Sequence, residues 1–327
     1  MANIFLTGAT GFIGSHVAHK LVLQNHKVTC LVRKTSKLDW IDYLPIQMCK
    51  GSLDNPNSYK NAIMDTEYII HIAGVTKAAN DDGYYIGNFE LTKNLLETID
   101  DVGKNLQRFL LVSSQAAVGP SPTADPIDED YPCQPITSYG KSKLMAEQIT
   151  FDFSEKYPVT VIRPPAVYGP RDTDIYLFFK YLRNGFNLSI GKVDQLLSLV
   201  FVDDLARGIV DAIFASKAIN NLYFLCDDTP YRWSYVAQFV ADYMNKKYFT
   251  LNIPYFIAYA LAFVFEKYAV WTNRTTILNR EKIYEIKQPY WVISPEKAKK
   301  DLLYKTDYPL KEGIKHTIQW YEENKWL

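Results

Sequence analysis

The run Ile4-Phe5-Leu6-Thr7-Gly8-Ala9-Thr10-Gly11-Phe12-Ile13-Gly14-Ser15-His16 changes character twice. An apolar stretch gives way to three glycines spaced G-x-x-G-x-x-G, and apolar residues then recur at helical spacing through Val17, Leu21 and Val22. This reads as a strand, a tight turn and the start of a helix. A phosphate comes close to a helix N-terminus only where no Cβ intervenes, and there it meets unpaired backbone N–H groups and the positive end of the helix dipole. Gly8, Gly11 and Gly14 are expected to clear that path. A glycine pattern alone also fits an ordinary turn. The strand that follows, Lys27 to Val32, completes a βαβ unit and favours the phosphate reading.

The rhythm continues down the chain. Asn25 closes the first helix, Gly51-Ser52-Leu53-Asp54 ends a strand and turns into a short helix, and Tyr68 to Gly74 is a buried strand whose small final residues admit a ligand. Asn88 to Asp101 carries Phe89, Leu91, Leu95, Leu96 and Ile99 at helical spacing, and Phe109 to Val112 is a buried strand ending at Ser113-Ser114. The Pro- and acid-rich stretch Gly119 to Pro135 is a loop. A helix capped by Ser138 runs from Tyr139 to Lys156, and Pro158 leads into a strand, Val159 to Arg163. Asp203-Asp204 opens a further helix, and Leu222 to Leu225 reads as a strand returning to the sheet edge. The alternation predicts an α/β fold, a doubly wound parallel sheet with ligands beyond the C-terminal strand ends.

The 327 residues suffice for one large domain or two unequal ones. Lysine plus arginine equal aspartate plus glutamate at 36 each, so no excess charge recruits nucleic acid or an anionic membrane, and a small molecule is the expected partner. Cys30, Cys49, Cys133 and Cys226 lie far apart without metal-binding spacing; reduced thiols, a cytoplasmic location and no metal site are expected. Glycines interrupt the N-terminal apolar run, so no processed leader is expected. The most membrane-like segment, Ile253 to Phe265, falls short of the ~20 residues of a spanning helix and ends at Glu266-Lys267. No membrane span is expected there, but a buried or lid helix.

Tyr139-Gly140-Lys141-Ser142-Lys143 places a phenol and an ammonium one helical turn apart on one face. A free tyrosine has a pKa of about 10, and a neighbouring cation together with an oxidised nicotinamide ring is expected to bring it toward acid–base work near neutral pH. Y-x-x-x-K is common on solvated helix faces. It gains weight here by following Ser114, at the end of a strand, by one acidic loop. With these residues the chain resembles the extended short-chain dehydrogenase/reductase superfamily, the NAD-dependent epimerase/dehydratase family. TGATGFIG at 7–14, HIAG at 71–74, VSSQAAVG at 112–119, YGKSK at 139–143, RPPAVYGPRD at 163–172 and FVDDLARG at 201–208 occur in the family's order. VRKTS at 32–36, SSQAAVGPSP at 113–122 and Trp320-Tyr321 look most like its dihydroflavonol-4-reductase and 3β-hydroxysteroid-dehydrogenase-like branch.

The resemblance implies a Rossmann dinucleotide-binding domain over 1–165, to which 200–225 return, and a substrate-binding domain over 166–199 and 226–327. It implies that Ser114 hydrogen-bonds the substrate oxygen, that Tyr139 exchanges its proton, and that Lys143 holds the nicotinamide ribose and depresses the tyrosine pKa. Gly8, Thr10, Gly11, Phe12, Ile13 and Gly14 would surround the dinucleotide phosphates, Ser52 and Leu53 the adenine, and Ala73, Gly74 and Asn88 the groove beside the lysine, with Asn88 supporting it. Pro164 and Val167 would position the nicotinamide carboxamide. Ser52 stands where the family commonly has aspartate, and Gln115-Ala116 where dehydratases carry an acidic pair. A 4,6-dehydratase needs that acid and base, so none is expected.

The second strand ends in Val32, where NAD-specific sites place a carboxylate, and continues into Arg33, Lys34 and Lys37. A planar guanidinium and ammonium groups suit a 2′-phosphate, so NADP is expected over NAD; arginine stacking on adenine leaves NAD open. The leading expectation is an NADP(H)-dependent oxidoreductase interconverting an alcohol and a carbonyl on a small molecule. A nucleotide-sugar epimerase with tightly bound NAD and a redox-silent dinucleotide-binding sensor stay open. By the resemblance a homodimer forms through the helices Asn88 to Asp101 and Tyr139 to Lys156. Tyr84, Tyr85, Tyr168, Tyr176, Phe178, Phe179, Phe186, Phe256, Tyr259 and Phe263 line a pocket or fill a core.

Overall fold

Apolar residues at both parities of Ile4-Phe5-Leu6, Ile69-Ile70 and Phe109-Leu110-Leu111 require cover on both faces of a sheet. The computed structural model, which describes residues 1–272 and 279–327, supplies it. Strands β1 (Asn3–Thr7), β2 (Lys27–Val32), β3 (Gln47–Lys50), β4 (Tyr68–His71), β5 (Arg108–Val112), β6 (Val159–Arg163) and β7 (Asn221–Phe224) form one parallel sheet in the order β7-β6-β5-β4-β1-β2-β3. Ile4 pairs with Val28 on one side and Tyr68 on the other. The order reverses at β1, and a ligand crevice opens beyond its C-terminal end.

Parity decides which helices each strand residue meets. Ile4, Leu6, Ile70 and Leu110 pack with Val17 and Leu21 of α1 (Phe12–Leu23) and Ile209 and Ile213 of the helix Val202–Phe214. Phe5, Ile69, Phe109 and Leu111 face the other way, toward Leu95 and Ile99 of α2 (Leu91–Val102) and Ala146 of α3 (Ser138–Asp152). The expected helix from Asn88 therefore starts differently: Tyr85–Glu90 is a π-helical turn, and the α-helix begins at Leu91. The cap of α3 is also corrected. Thr137, in extended backbone, accepts the Gly140 N–H at 3.0 Å, while Ser138 is already helical; the helix ends at Asp152 rather than Lys156.

After β6 the chain builds a second core. Ala166–Tyr168 pairs with Leu199–Phe201, and Tyr168, Phe179, Phe201, Ile314 and Tyr321 bury one another. Of the aromatic residues left open between pocket and core, Tyr84, Tyr168 and Phe179 are buried, whereas Phe186, Phe256 and Phe263 are exposed. The segment Ile253 to Phe265 departs most from expectation. It enters the helix α4 (Tyr255–Thr272), which is not buried: Ala258, Ala262 and Ala269 face inward, and the large apolar side chains face out. Among the described residues no helix is long and apolar enough to cross a membrane. The next helix, α5 (Arg280–Lys287), packs on α4 through Ile283.

Candidate active site

Gly8 leaves β1 at φ +77°, a conformation that side chains resist, and a Cβ there would lie 2.7 Å from the Ala73 nitrogen. A Cβ at Gly14 would lie 2.1 Å from the Gly8 carbonyl oxygen, so that glycine lets α1 press on the strand end. Gly11 differs. It is the exposed N-cap of α1, offers no side-chain cap, and a Cβ would meet only the Gly8 oxygen at 3.3 Å. Gly8 and Gly14 are thus required by the chain's own packing as well, whereas Gly11 is the one whose Cβ would meet little else. Thr10, Phe12 and Ile13 are half-buried around it. An N-terminus left open in this way fits a dinucleotide pyrophosphate.

The next two strand ends frame the same crevice. Val32 is buried, and Arg33 and Lys34 are exposed in a turn closed by the Ser36 N–H donating to the Arg33 carbonyl at 3.0 Å. Ser52 is held through its backbone by Ser58, and the Leu53 side chain lies in the core with Phe5 and Tyr59. Leu53 is corrected on that point: only its backbone is left to meet an adenine. Ala73 donates to the Thr7 hydroxyl, which lies 2.7 Å from His71 Nδ1; Thr92 donates to the Asn88 carbonyl and so accepts from His71 Nε2 at 3.0 Å. The Thr92 bond places a proton on Nε2, and in the neutral ring Nδ1 accepts from Thr7. Burial, and then Lys143, push its pKa down to about 3.

Asn88 sits in the π-helical turn, fully enclosed. Its Oδ1 accepts from the Val75 N–H at 2.7 Å, and its Nδ2 donates to the Val75 carbonyl and to Ser142 Oγ at 2.9 Å. It reaches the lysine by fixing the neighbouring Ser142 rather than by touching the ammonium. A Cβ at Gly74 would stand 2.8 Å from Asn88 Oδ1 and 3.7 Å from Lys143 Nζ, so the strand end passes beside both.

Tyr139, Lys143 and Glu147 follow one another along a face of α3. Lys143 is buried, donates to the Val112 carbonyl at 2.8 Å, and burial lowers its pKa to about 8 against the pull of Glu147. Glu147 and Arg163 form a buried bidentate pair at 2.6 and 2.9 Å. Tyr139 stands beside the Ser114 hydroxyl, with the Tyr84 ring edge-on at 6.1 Å. The expected drop in its pKa is corrected: burial pushes it up to about 12, the Ser114 hydrogen bond opposing.

One residue escaped the sequence reading, and one left open there is placed. Glu281 of α5 accepts both the Ser138 N–H at 2.8 Å and its hydroxyl at 2.7 Å, holding the first turn of the tyrosine helix, where a negative charge also meets the helix dipole. Tyr84 packs the tyrosine ring from above the crevice. No local signal marks Glu281, which lies far off in sequence. Pro164 is buried and its carbonyl accepts from the Gln115 N–H at 2.8 Å, directly behind Ser114; Val167 is half-buried in the short strand that follows.

A family model for the NAD dependent epimerase/dehydratase family matches residues 4–223. The chain belongs to this family. It is an NAD(P)-dependent oxidoreductase or epimerase of the extended short-chain dehydrogenase/reductase type. Ceramide reductase of Caulobacter vibrioides is 25% identical, over 99% of this chain and 96% of that protein. The decarboxylating sterol-4-alpha-carboxylate 3-dehydrogenase of Mus musculus is 24% identical over 95% and 89%. Among solved structures, UDP-glucose 4-epimerase from Thermotoga maritima superposes with a TM-score of 0.81 at 20% identity, covering 99% of each chain, a likeness of fold alone.

Proposed function

We propose that the protein is an NADP(H)-dependent oxidoreductase that interconverts an alcohol and a carbonyl on a small molecule through Ser114, Tyr139 and Lys143. The observation that carries this reading is the placement of Tyr139 beside the Ser114 hydroxyl at the end of β5, with the buried Lys143 one helical turn further along α3. A protonated phenol is the form needed to reduce a carbonyl, where negative charge develops on oxygen. When bound, a reduced nicotinamide dinucleotide supplies the hydride. Tyr139 gives its proton to the carbonyl oxygen, Ser114 donates a hydrogen bond to the same oxygen, and the Lys143 charge stabilises the phenolate left behind.

Gly11 and the first turn of α1 would hold the pyrophosphate, with Thr10, Phe12 and Ile13 around it, Arg33 and Lys34 a 2′-phosphate, and Lys143 the ribose. Ser52 with the Leu53 backbone, Ala73 with Gly74, and Pro164 with Val167 would line the adenine, central and nicotinamide stretches of the groove. Residues 166–199 and 226–327 would close over the substrate. Two subunits would pair through α2 and α3, where Lys93, Glu97 and Ile149, with Phe153 just beyond α3, line a common groove. Light scattering at micromolar concentration should then give twice the chain mass, and a single-chain mass would refute the pairing.

The central test is a screen of carbonyl compounds against NADPH and NADH oxidation, with Tyr139→Phe as the control. Turnover of the active compound should favour NADPH and fall ~100-fold or more in the variant, with dinucleotide binding kept. Stoichiometric NAD co-purifying with the protein, and no oxidation of either reduced dinucleotide, would overturn the reading in favour of an epimerase.

A further inference from the structure

The geometry points to a second binding surface: α4, together with the ribbon that leads into it, seats on the surface of an anionic lipid bilayer. The ribbon is the parallel pair Phe186–Ile190 and Phe249–Ile253, with Phe249 opposite Phe186 and Leu251 opposite Leu188. Alternate residues share a face, so these four side chains stand together, and all four are exposed. The same face continues at Ile190 and Ile253, where α4 covers it through Ala258 and Ala262. Bare ribbon and helix therefore form one continuous apolar surface.

The helix decides what kind of partner fits. At 100° per residue, its buried alanines 258, 262 and 269 occupy a narrow stripe, while Phe256, Ile257, Tyr259, Leu261, Phe263, Val264, Phe265, Tyr268 and Trp271 spread around about two-thirds of the circumference. Phe256 is 75% exposed and Trp271 83%. A protein partner, including a second copy, buries one stripe of a helix; a surface apolar on so many sides is satisfied by a medium that flows around it. α4 is too short and too interrupted to cross a bilayer, which leaves it lying in the interface, and its Tyr and Trp side chains suit that depth. Charge agrees with this. Lys267 lies over the Phe263 ring at 5.5 Å with its stem along the apolar face, and Arg183, Lys246 and Lys247 are exposed where the two ribbon strands begin. The whole-chain charge of zero hides this local excess. The surface adjoins the candidate site, because α5, which packs on α4, holds Ser138 through Glu281.

The test is co-sedimentation of the full chain with sucrose-loaded vesicles of phosphatidylcholine containing 30% phosphatidylglycerol, beside vesicles of phosphatidylcholine alone. Binding to the anionic vesicles should be strong, weaken with salt, and drop at least roughly tenfold on neutral ones. Phe256→Glu with Val264→Glu and Trp271→Glu should abolish it without changing the circular dichroism spectrum. Lys246→Glu with Lys247→Glu, which alters only exposed groups, should weaken it roughly tenfold or more and guards against misfolding of the first variant. No sedimentation at millimolar lipid, or equal binding by both variants, would overturn the proposal. So would a wild-type mass by light scattering that the first variant halves, since the surface would then belong to a second copy.

Discussion

Among the described residues two largely apolar helices meet opposite fates. α1 is enclosed between the sheet and the helix Val202–Phe214, with Val17, Ala18 and Leu21 fully buried. α4 is as apolar, yet only alanines anchor it and its large side chains stand in the open. An apolar sequence says that a helix must be covered; it does not say by what. For α1 the cover comes from the same chain because the glycine turn folds it back on its strand. For α4 the ribbon and α5 take up only a narrow stripe.

Stability measurements can break this contrast or sharpen it. The largest loss is expected away from both helices, at the ion pair beneath the site: Arg163→Met leaves the Glu147 carboxylate buried without its partner, at a cost of about 3–5 kcal/mol by urea unfolding. That outcome sets the scale for an enclosed position, and a cost below 1 kcal/mol would mean the pair is solvated. Leu21→Ala in α1 should cost about 2–5 kcal/mol, since a fully buried side chain is replaced by a cavity. Phe256→Ala in α4 removes a larger side chain, yet should shift stability by no more than about 0.5 kcal/mol. If the two helices responded alike, α4 would be covered in solution and the contrast would collapse.

The parts of the fold legible in the sequence were those with short-range causes. The glycine spacing after Ile4-Phe5-Leu6 exposes the strand–turn–helix because the break in the apolar run and the Gly14 contact with Gly8 are both local. Tyr139 and Lys143 are legible because helix geometry alone puts them on one face. The remainder depended on distant partners. Whether Thr137 or Ser138 capped α3 turned on Glu281, which engages the Ser138 N–H and hydroxyl and leaves the capping to Thr137. The direction of the Tyr139 shift turned on burial, which spacing does not reveal. Leu53 pointing into the core likewise follows from where Phe5 and Tyr59 come to lie.

The clamp of Glu281 on Ser138 also orders events in time. During synthesis β1 to β6 emerge with Ser114, Tyr139 and Lys143 already among them, and the neighbouring strands can pair as each arrives. The first turn of α3 then has its Thr137 cap but not its carboxylate, which comes 143 positions later. A nascent chain released before α5 would hold the three reactive groups with the start of the tyrosine helix secured by its Thr137 cap alone, and the second hold on that turn comes with the C-terminal quarter of the chain.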